Sequence, residues 1–381
     1  MNELNNHKER AHALLSASSS SRWLACPPSA VAASLYPNTE TEYTREGTLA
    51  HEVAELVALS RLEGRGHLFQ SPWRDDVTPD MIRHAESYAD YIQERIESPD
   101  AVVLLEQRLD FSPWVPDGFG TGDCLIIQGR HLDVIDYKYG QGVEVSAIGN
   151  SQMRLYGLGA IHVFGDIYEI DTVSLHIFQP RKDNISVEDM AASELLEWGE
   201  EVKPTAALAA EGKGEHVPGG HCRFCPHAGL CPALAESCFA IYKEYSVYGV
   251  AALTPDQVAS VLAQESVFTS WLKAVKERAL ADLLDGDTIP GFKVVAGRAT
   301  RQWSDDLEVG QMLIGAGYTN EQITKTELLS PAAMEKALGK KKVAELLSGQ
   351  ILSLPGSPTV APASDKRPVY DRLAEAKNDF A

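Results

Sequence analysis

No stretch of the 381 residues is apolar for long enough to cross a bilayer, and the polar start, Met1 to Arg10, lacks the apolar core of a secretory leader. A cytoplasmic protein is expected. Basic residues are scarce: 34 Lys and Arg against 54 Asp and Glu leave a formal net charge of -20, which excludes coating of nucleic acid through a general basic surface. Any contact with DNA must run through a local basic groove and should be weak without divalent metal and sensitive to salt. No flavin or nicotinamide fingerprint is present, which disfavours a redox enzyme, and no internal repeat is found. Cysteine is sparse, and the six thiols of a cytoplasmic chain are not expected to form disulfides. Three of them are nevertheless bunched as Cys222-x2-Cys225-x5-Cys231, a spacing that needs its own explanation.

The length allows two or three domains and a full core. Ser16 to Ser21 is serine-rich and reads as mobile, with apolar bulk beginning at Arg22-Trp23-Leu24-Ala25-Cys26; Pro27 and Pro28 keep Cys26 out of a helix interior. Leu49, Val53, Leu56 and Val57 recur at helical spacing between Thr44 and Leu62, so His51 and Glu55 share a face. A second amphipathic helix is predicted from Pro79 to Glu97. Strands follow at Val102 to Leu109, Cys124 to Gln128 and His131 to Tyr139, the last two joined by a tight Gly129-Arg130 turn, with another at Thr172 to Phe178. Ser151 to Phe164 is helical by pattern and places Gln152 and Tyr156 one turn apart. The stretch after Gln179 reads as helical through Glu211, and a long helix is predicted from Pro255 to Leu284. Beyond it lie a strand-like Phe292 to Ala296, helical stretches at Asp305 to Ile314 and Pro331 to Leu347, and a proline-punctuated end from Ser353 to Tyr370. The order predicts an α/β protein with a central mixed sheet flanked by helices, a boundary near Tyr245, and a mainly helical C-terminal extension over 246–381.

The residues that carry chemistry cluster around the hairpin. Asp136-Tyr137-Lys138 ends an alternating apolar run, and Asp123 follows Gly120-Thr121-Gly122 just before the facing strand. Two carboxylates at one end of a sheet can hold a hard divalent cation through oxygen, and a lysine beside them can help deprotonate water or neutralise charge on a phosphate. His51 offers a nitrogen ligand, with Gly47-Thr48 allowing close approach at the helix start. Gln152 and Tyr156 are placed to hydrogen-bond a scissile phosphate or position water, although by spacing alone they read as a half-buried helix face.

Together these pieces resemble the PD-(D/E)XK nuclease superfamily, in particular its RecB-like branch, over roughly residues 20 to 235. The matching segments are Gly47-Thr48-Leu49-Ala50-His51, Gly122-Asp123, Asp136-Tyr137-Lys138 and Gln152-x3-Tyr156. The resemblance implies a restriction-endonuclease-like core in which His51, Asp123, Asp136 and the Tyr137 carbonyl bind Mg²⁺ or Mn²⁺. It implies Lys138 as the catalytic lysine, with Gln152 and Tyr156 completing the site and Glu106, on the preceding strand, supporting it. Asp136 stands where many relatives have Glu. The implied activity is metal-dependent hydrolysis of DNA, as an exonuclease on single strands or duplex ends; the alternative is a DNA-binding or scaffold protein that keeps the fold without cleavage.

Cys222, Cys225 and Cys231 supply three soft thiolates, with a fourth ligand from Cys26, Cys238, His221 or His227, and by spacing zinc is permitted. The same branch resembles this chain in having one cysteine before the histidine motif and three after the core, which together hold a [4Fe-4S] cluster; Cys26 matches the first and Cys222, Cys225 and Cys231 the rest. CRISPR-associated exonucleases and the nuclease domains of bacterial helicase-nucleases are similar in this pattern. Such a cluster would staple Cys26 to a segment 196 positions later (222 minus 26). Cys238 and Cys124 read as buried core thiols. The densest basic run, Lys336 to Lys342, with Lys325, Lys366 and Arg367, could touch phosphates. Pro290-Gly291-Phe292-Lys293, Arg301-Gln302-Trp303-Ser304-Asp305 and Ser364-Asp365-Lys366-Arg367-Pro368 look like a phage-encoded family catalogued as a domain of unknown function. That resemblance implies phage origin and partners in phage replication or recombination.

Overall fold

The computed structural model describes residues 13–37, 42–62, 76–246 and 254–294, with isolated positions 64, 339 and 342. Five strands form one mixed sheet in chain order: β1 (Val102–Asp110), β2 (Phe119–Gln128), β3 (His131–Tyr137), β4 (Thr172–Gln179) and β5 (Asn184–Ala191). Neighbours pair antiparallel except β3 and β4, which run parallel because the chain between them crosses over through a helix, α5 (Ser151–Phe164). Gly129 has φ +60, the left-handed conformation that closes the β2–β3 turn.

Both faces of the sheet are covered, and β3 shows it: every residue after His131 is buried. Leu132 and Val134 join a core shared with α5 and α6 (Ala192–Ala210). Ile135 and Tyr137 join a second core made with α3 (Glu42–Leu62) and α4 (Pro79–Glu94). The helices begin where the sequence provides caps: the Thr78 side chain accepts from Met81 N–H ahead of α4, and the Asn150 side chain accepts from Gln152 and Met153 N–H ahead of α5. Each apolar side chain so buried contributes about 1.5–3 kcal/mol, so the two aspartates in β3 need partners to stay there.

Asp133 finds its partners away from the hairpin acids. Its Oδ1 lies 2.9 Å from His176 Nε2 and 3.5 Å from His131 Nε2, and His176 Nδ1 is 3.0 Å from the Tyr91 hydroxyl. Burial works to raise the Asp133 pKa, but hydrogen bonds from the two imidazoles outweigh it and hold the carboxyl down at about 2. Asp133→Ala would leave His176 Nε2 without its partner inside the core. It is expected to cost about 3 kcal/mol of unfolding free energy, measured by urea denaturation; a loss below about 1 kcal/mol would show that the network is not structural.

Three expectations need correction. Ser16 to Ser21 is ordered: Ala17–Ser19 form a 3-10 turn, α1 (Ser20–Ala25) follows, Trp23 Nε1 donates to the Ser16 carbonyl at 3.1 Å, and the Ser20 and Ser151 hydroxyls meet at 2.6 Å. The stretch after Gln179 is not continuously helical; its first part is the edge strand β5, whose half-exposed Ile-Ser-Val-Glu-Asp-Met pattern makes sense only once β4 supplies the ladder. Gly47 lies inside α3, and a Cβ there would meet nothing within 4 Å, so no close approach depends on it.

The chain divides into two compact units, Met1–Ile289 and Pro290–Ala381. The expected boundary near Tyr245 falls in the last turn of α7 (Pro232–Ser246), and α8 (Pro255–Leu284), a long helix with the predicted bounds, packs on the cysteine segment inside the first unit. In the second unit, Phe292 to Val294 carry no strand, and the later predicted helices and lysine run lie, apart from Gly339 and Lys342, outside the described residues. No helix among the described residues is long and apolar enough to cross a membrane.

Candidate functional site

The β2–β3 register pairs Cys124 with Ile135, so one step further Asp123 and Asp136 fall opposite each other where β3 ends. Asp123 Oδ2 accepts the Tyr137 N–H at 2.7 Å and lies 3.5 Å from His51 Nδ1 on α3. Asp136, buried, lies with its Oδ2 2.8 Å from Lys138 Nζ. Gln152 bridges that pair from the first turn of α5: its Oε1 accepts from Lys138 Nζ at 3.2 Å and its Nε2 donates to Asp136 Oδ1 at 3.0 Å. The same Nε2 is 3.4 Å from the Tyr156 hydroxyl one turn on. A Cβ on Gly120 would stand 2.7 Å from the Tyr156 ring, so glycine at that position is what lets β2 and α5 approach. Thus His51, Asp123, Asp136, Lys138, Gln152 and Tyr156 do meet at one end of the sheet. Tyr137 contributes its N–H to Asp123 and a buried ring that meets His51 edge-on at 5.4 Å between centroids.

Electrostatically the two carboxylates part company. Burial works against the charge of both, but His51, Lys138 and the Tyr137 N–H hold Asp123 below the usual carboxylate range. Asp136 is raised, by burial and then by the Asp123 charge, against the pull of Lys138. Burial opposes the Lys138 charge, yet Asp136 and Asp123 overcome it and raise the ammonium's pKa. His51 follows the same logic: burial lowers its pKa, the Asp123 charge and hydrogen bond outweigh burial, and the value reaches about 8. Glu106 on β1 is pushed up to about 7 by desolvation and then by Asp123.

The donor set suits a hard divalent cation: an imidazole with oxygen donors, among them Asp136 Oδ2, a buried carboxylate oxygen whose partner is the Lys138 ammonium at 2.8 Å. Among the described residues, the group whose ligand atoms all lie within 4.8 Å of one another is His51, Glu106 and Asp123; Asp136 is engaged by Lys138 and Gln152 instead.

Sequence reasoning missed the residue that holds the loop between Lys138 and α5. Gln179, buried at the end of β4, donates through Nε2 to the Gly140 and Val143 carbonyls, both at 2.9 Å, and its Oε1 accepts the Val145 N–H at 3.1 Å. Its only signal in the sequence is an amide closing an apolar run. Arg154 and Glu188 pair at 2.6 Å across α5 and β5, and Glu188 also accepts the Gly149 N–H at 3.0 Å, fixing the approach to Gln152 from the other side.

A second assembly gathers the cysteines. Cys26, at the C-terminal cap of α1, lines one cavity of about 20 Å³ together with Cys222, Cys225 and Cys231. All six cysteines are free thiols. The histidines that competed for the fourth position line the same cavity but each has another partner: His227 Nδ1 is 2.9 Å from the Tyr36 hydroxyl and His221 Nε2 is 2.8 Å from the Val217 carbonyl. Cys238 is buried beside Trp271, Leu234 and Ala228, and Cys124 is buried in the α3–α4 core.

A solved structure titled "Crystal structure of SSO0001" is similar to this chain at 15% identity, over 48% of this chain and 85% of that one, with a TM-score of 0.23. A model of the family described as "Protein of unknown function (DUF2800)" matches residues 12–368. The acid pair, its lysine and the four gathered cysteines all fall inside that match, and the chain belongs to this family.

Proposed function

We propose that the chain is a divalent-metal-dependent deoxyribonuclease with a PD-(D/E)XK restriction-endonuclease-like core of the RecB-like branch, acting as an exonuclease on single-stranded DNA or duplex ends. The observation that carries the reading is the convergence of Asp123 and Asp136 across one strand pair, with Lys138 Nζ 2.8 Å from one and His51 3.5 Å from the other. His51, Asp123, Asp136 and the Tyr137 carbonyl would hold Mg²⁺ or Mn²⁺, which would supply Lewis-acid polarisation of a phosphodiester and a more acidic water. Lys138 is held protonated by its two acids, so it serves first to neutralise charge building on the phosphate. Gln152 grips Lys138 and Asp136 at once and keeps them in register, while Tyr156 closes the α5 side.

Cys26, Cys222, Cys225 and Cys231 are assigned to a [4Fe-4S] cluster that ties the N-terminal helices to the segment after α6. Tetrahedral zinc would bring its sulfurs to about 3.8 Å from one another, given Zn–S bonds of roughly 2.3 Å. All four thiols line one cavity, and the metal content of the protein decides between that ion and the cluster. A role in phage replication or recombination, with DNA as the partner, completes the proposal.

The test is incubation of end-labelled single- and double-stranded DNA with the purified chain in Mn²⁺ or EDTA. Degradation in Mn²⁺ that EDTA abolishes is expected. Binding without cleavage of either substrate would replace this reading with that of a non-catalytic DNA-binding protein.

Metal loading should depend on pH through His51. Its pKa of about 8 means that the ring carries a proton at neutrality, and that proton must leave before nitrogen can ligate. Apparent Mn²⁺ affinity is therefore expected to climb between about pH 6.5 and 8.5, with proton release visible as a buffer-dependent heat in calorimetry. A flat affinity over that interval would remove His51 from the ligand set.

A further inference from the structure

We infer that a groove between α8 and the cysteine segment binds single-stranded DNA, taking its phosphates on Arg223 and Lys273 and stacking a base on Phe224. This rests on the nuclease reading above and deepens it by giving the strand a path toward the acid pair.

Two cavities meet to form the groove. One, of about 1010 Å³, runs along α8 from Glu265 to Ala281 and is walled by Tyr36 and by the segment from Arg223 to Pro226. The other, of about 250 Å³, shares Arg223, Phe224, Ser266 and Ser270 with the first and ends against Val143. Val143 belongs to the loop that Gln179 holds by the Gly140 and Val143 carbonyls, five positions past Lys138 (143 minus 138). The groove therefore reaches the loop that leaves the acid site.

Its walls offer what an unpaired strand needs. Phe268, Trp271 and Val275 of α8 pack into the small core around Cys238, which leaves Ser266, Ser270 and Lys273, about one turn apart, on the groove side. From Ser266 to Arg278 the helix rises by roughly 18 Å at about 1.5 Å per residue, the length of about five stacked nucleotides at roughly 3.4 Å each. Phe224 is 69% exposed, with the Arg223 guanidinium 5.4 Å from its ring centroid. A bare ring beside an arginine is a platform for any base, since every base has a face to stack and the cation meets the neighbouring phosphate.

Charge selects this ligand over an apolar one. Arg223, Lys273 and Arg278 line the groove against two acids, Glu265 and Glu277, a local positive balance in a chain of formal charge -20. An acidic chain can meet DNA only through such a place. Glu277 lies 3.7 Å from Lys273, an exposed pair that a phosphate displaces at little cost. Arg278 pairs with Asp282 and stands 5.6 Å from the Tyr36 ring, while its Nε makes no hydrogen bond among the described residues.

The test is fluorescence anisotropy of a dye-labelled oligothymidylate of about twelve nucleotides with the anaerobically purified full chain, in low salt and EDTA so that cleavage does not intervene. Phe224→Ala is expected to weaken binding about tenfold. Arg223→Glu combined with Lys273→Glu is expected to weaken it at least about a hundredfold and to flatten the dependence of affinity on salt. Lys203→Glu, on α6 outside the groove, is expected to change it less than about threefold. A duplex of the same length should bind at least about fivefold more weakly, because its bases are not free to stack. All three groove residues are exposed, and an unchanged absorbance spectrum and melting temperature verify that each variant keeps its fold. Parent-like affinity in both groove variants, or no binding by the parent, overturns the inference. So does equal binding of a polyglutamate peptide, which would assign the groove to an acidic protein segment. Hydrolysis of a small phosphodiester, bis-p-nitrophenyl phosphate, by the parent in Mn²⁺ tests the chemistry separately: a parent that binds oligothymidylate in this groove but hydrolyses neither diester nor DNA overturns the nuclease reading and leaves the groove standing.

Discussion

Lys138→Ala is expected to slow DNA cleavage by on the order of 10³-fold or more, the largest effect a single side chain should have on this protein. Among the described residues Lys138 is the ammonium that contacts Asp136, and its charge is sustained by both acids despite burial. Removing it takes away the cation that faces a reacting phosphate and frees the Gln152 carbonyl oxygen it satisfied. The structural cost is limited because the carboxylate left behind is already inclined to protonate: burial and Asp123 raise the Asp136 pKa. The variant should therefore melt at a lower temperature than the parent but keep its circular dichroism. Pairing Asp136→Asn with Lys138→Met replaces the ion pair with neutral groups of similar volume and controls for any loss of fold. Cleavage at the parent rate by a folded Lys138→Ala protein would end the nuclease assignment.

Cys26→Ala is expected to bleach and destabilise the protein, whereas Cys238→Ala should do neither to the same degree. Anaerobically purified parent protein should be brown, with four irons per chain expected for an intact cluster. Cys26 is buried at the end of α1, yet it shares a cavity with three thiols that follow it by 196 positions or more (222 minus 26). A cross-link closing a loop of that length removes unfolded-chain entropy worth roughly 5 kcal/mol, and loss of one ligand forfeits it together with the cluster's binding energy. Cys238 is equally buried but lies among Trp271, Leu234 and Ala228, so its truncation removes about one methylene equivalent, near 1 kcal/mol. Equal melting temperatures for the two variants would contradict the staple. A colourless preparation with one zinc per chain would show that the four thiols hold a different metal.

Much of this site could be read from the chain because the informative parts are local. Asp123 and Asp136 lie on one hairpin, and once the Gly129-Arg130 turn sets the register their opposition follows by counting. Lys138 is two residues along, and Gln152 and Tyr156 are one helical turn apart on the next element. Gln179 was not legible, because an amide at the end of a strand acquires meaning only when the loop from Gly140 to Val145 folds back over it. The Asp133–His176–Tyr91 network was invisible for a similar reason: its members come from β3, β4 and α4 and share no periodicity. Glu106 reads from the sequence as an exposed strand glutamate and is one, but its nearness to His51 and Asp123 was not legible, since a pleat drawn from sequence assumes regular alternation. The left-handed turn of its backbone breaks that alternation.

By itself the sequence determined what local periodicity can encode: the amphipathic helices, the apolar run of β3, and the hairpin that sets two acids face to face. Hydrophobic burial at period 2 or 3.6 and side-chain capping act over a few residues, so they can be recognised without neighbours in space. Tertiary structure alone decided which distant groups meet: His51 beside Asp123, Glu106 near both, β5 as a strand, and Cys26 with the late cysteines. Those contacts depend on the entropy of closing long loops against the burial gained when both faces of the sheet are covered, a balance set by the whole chain and not by any segment of it.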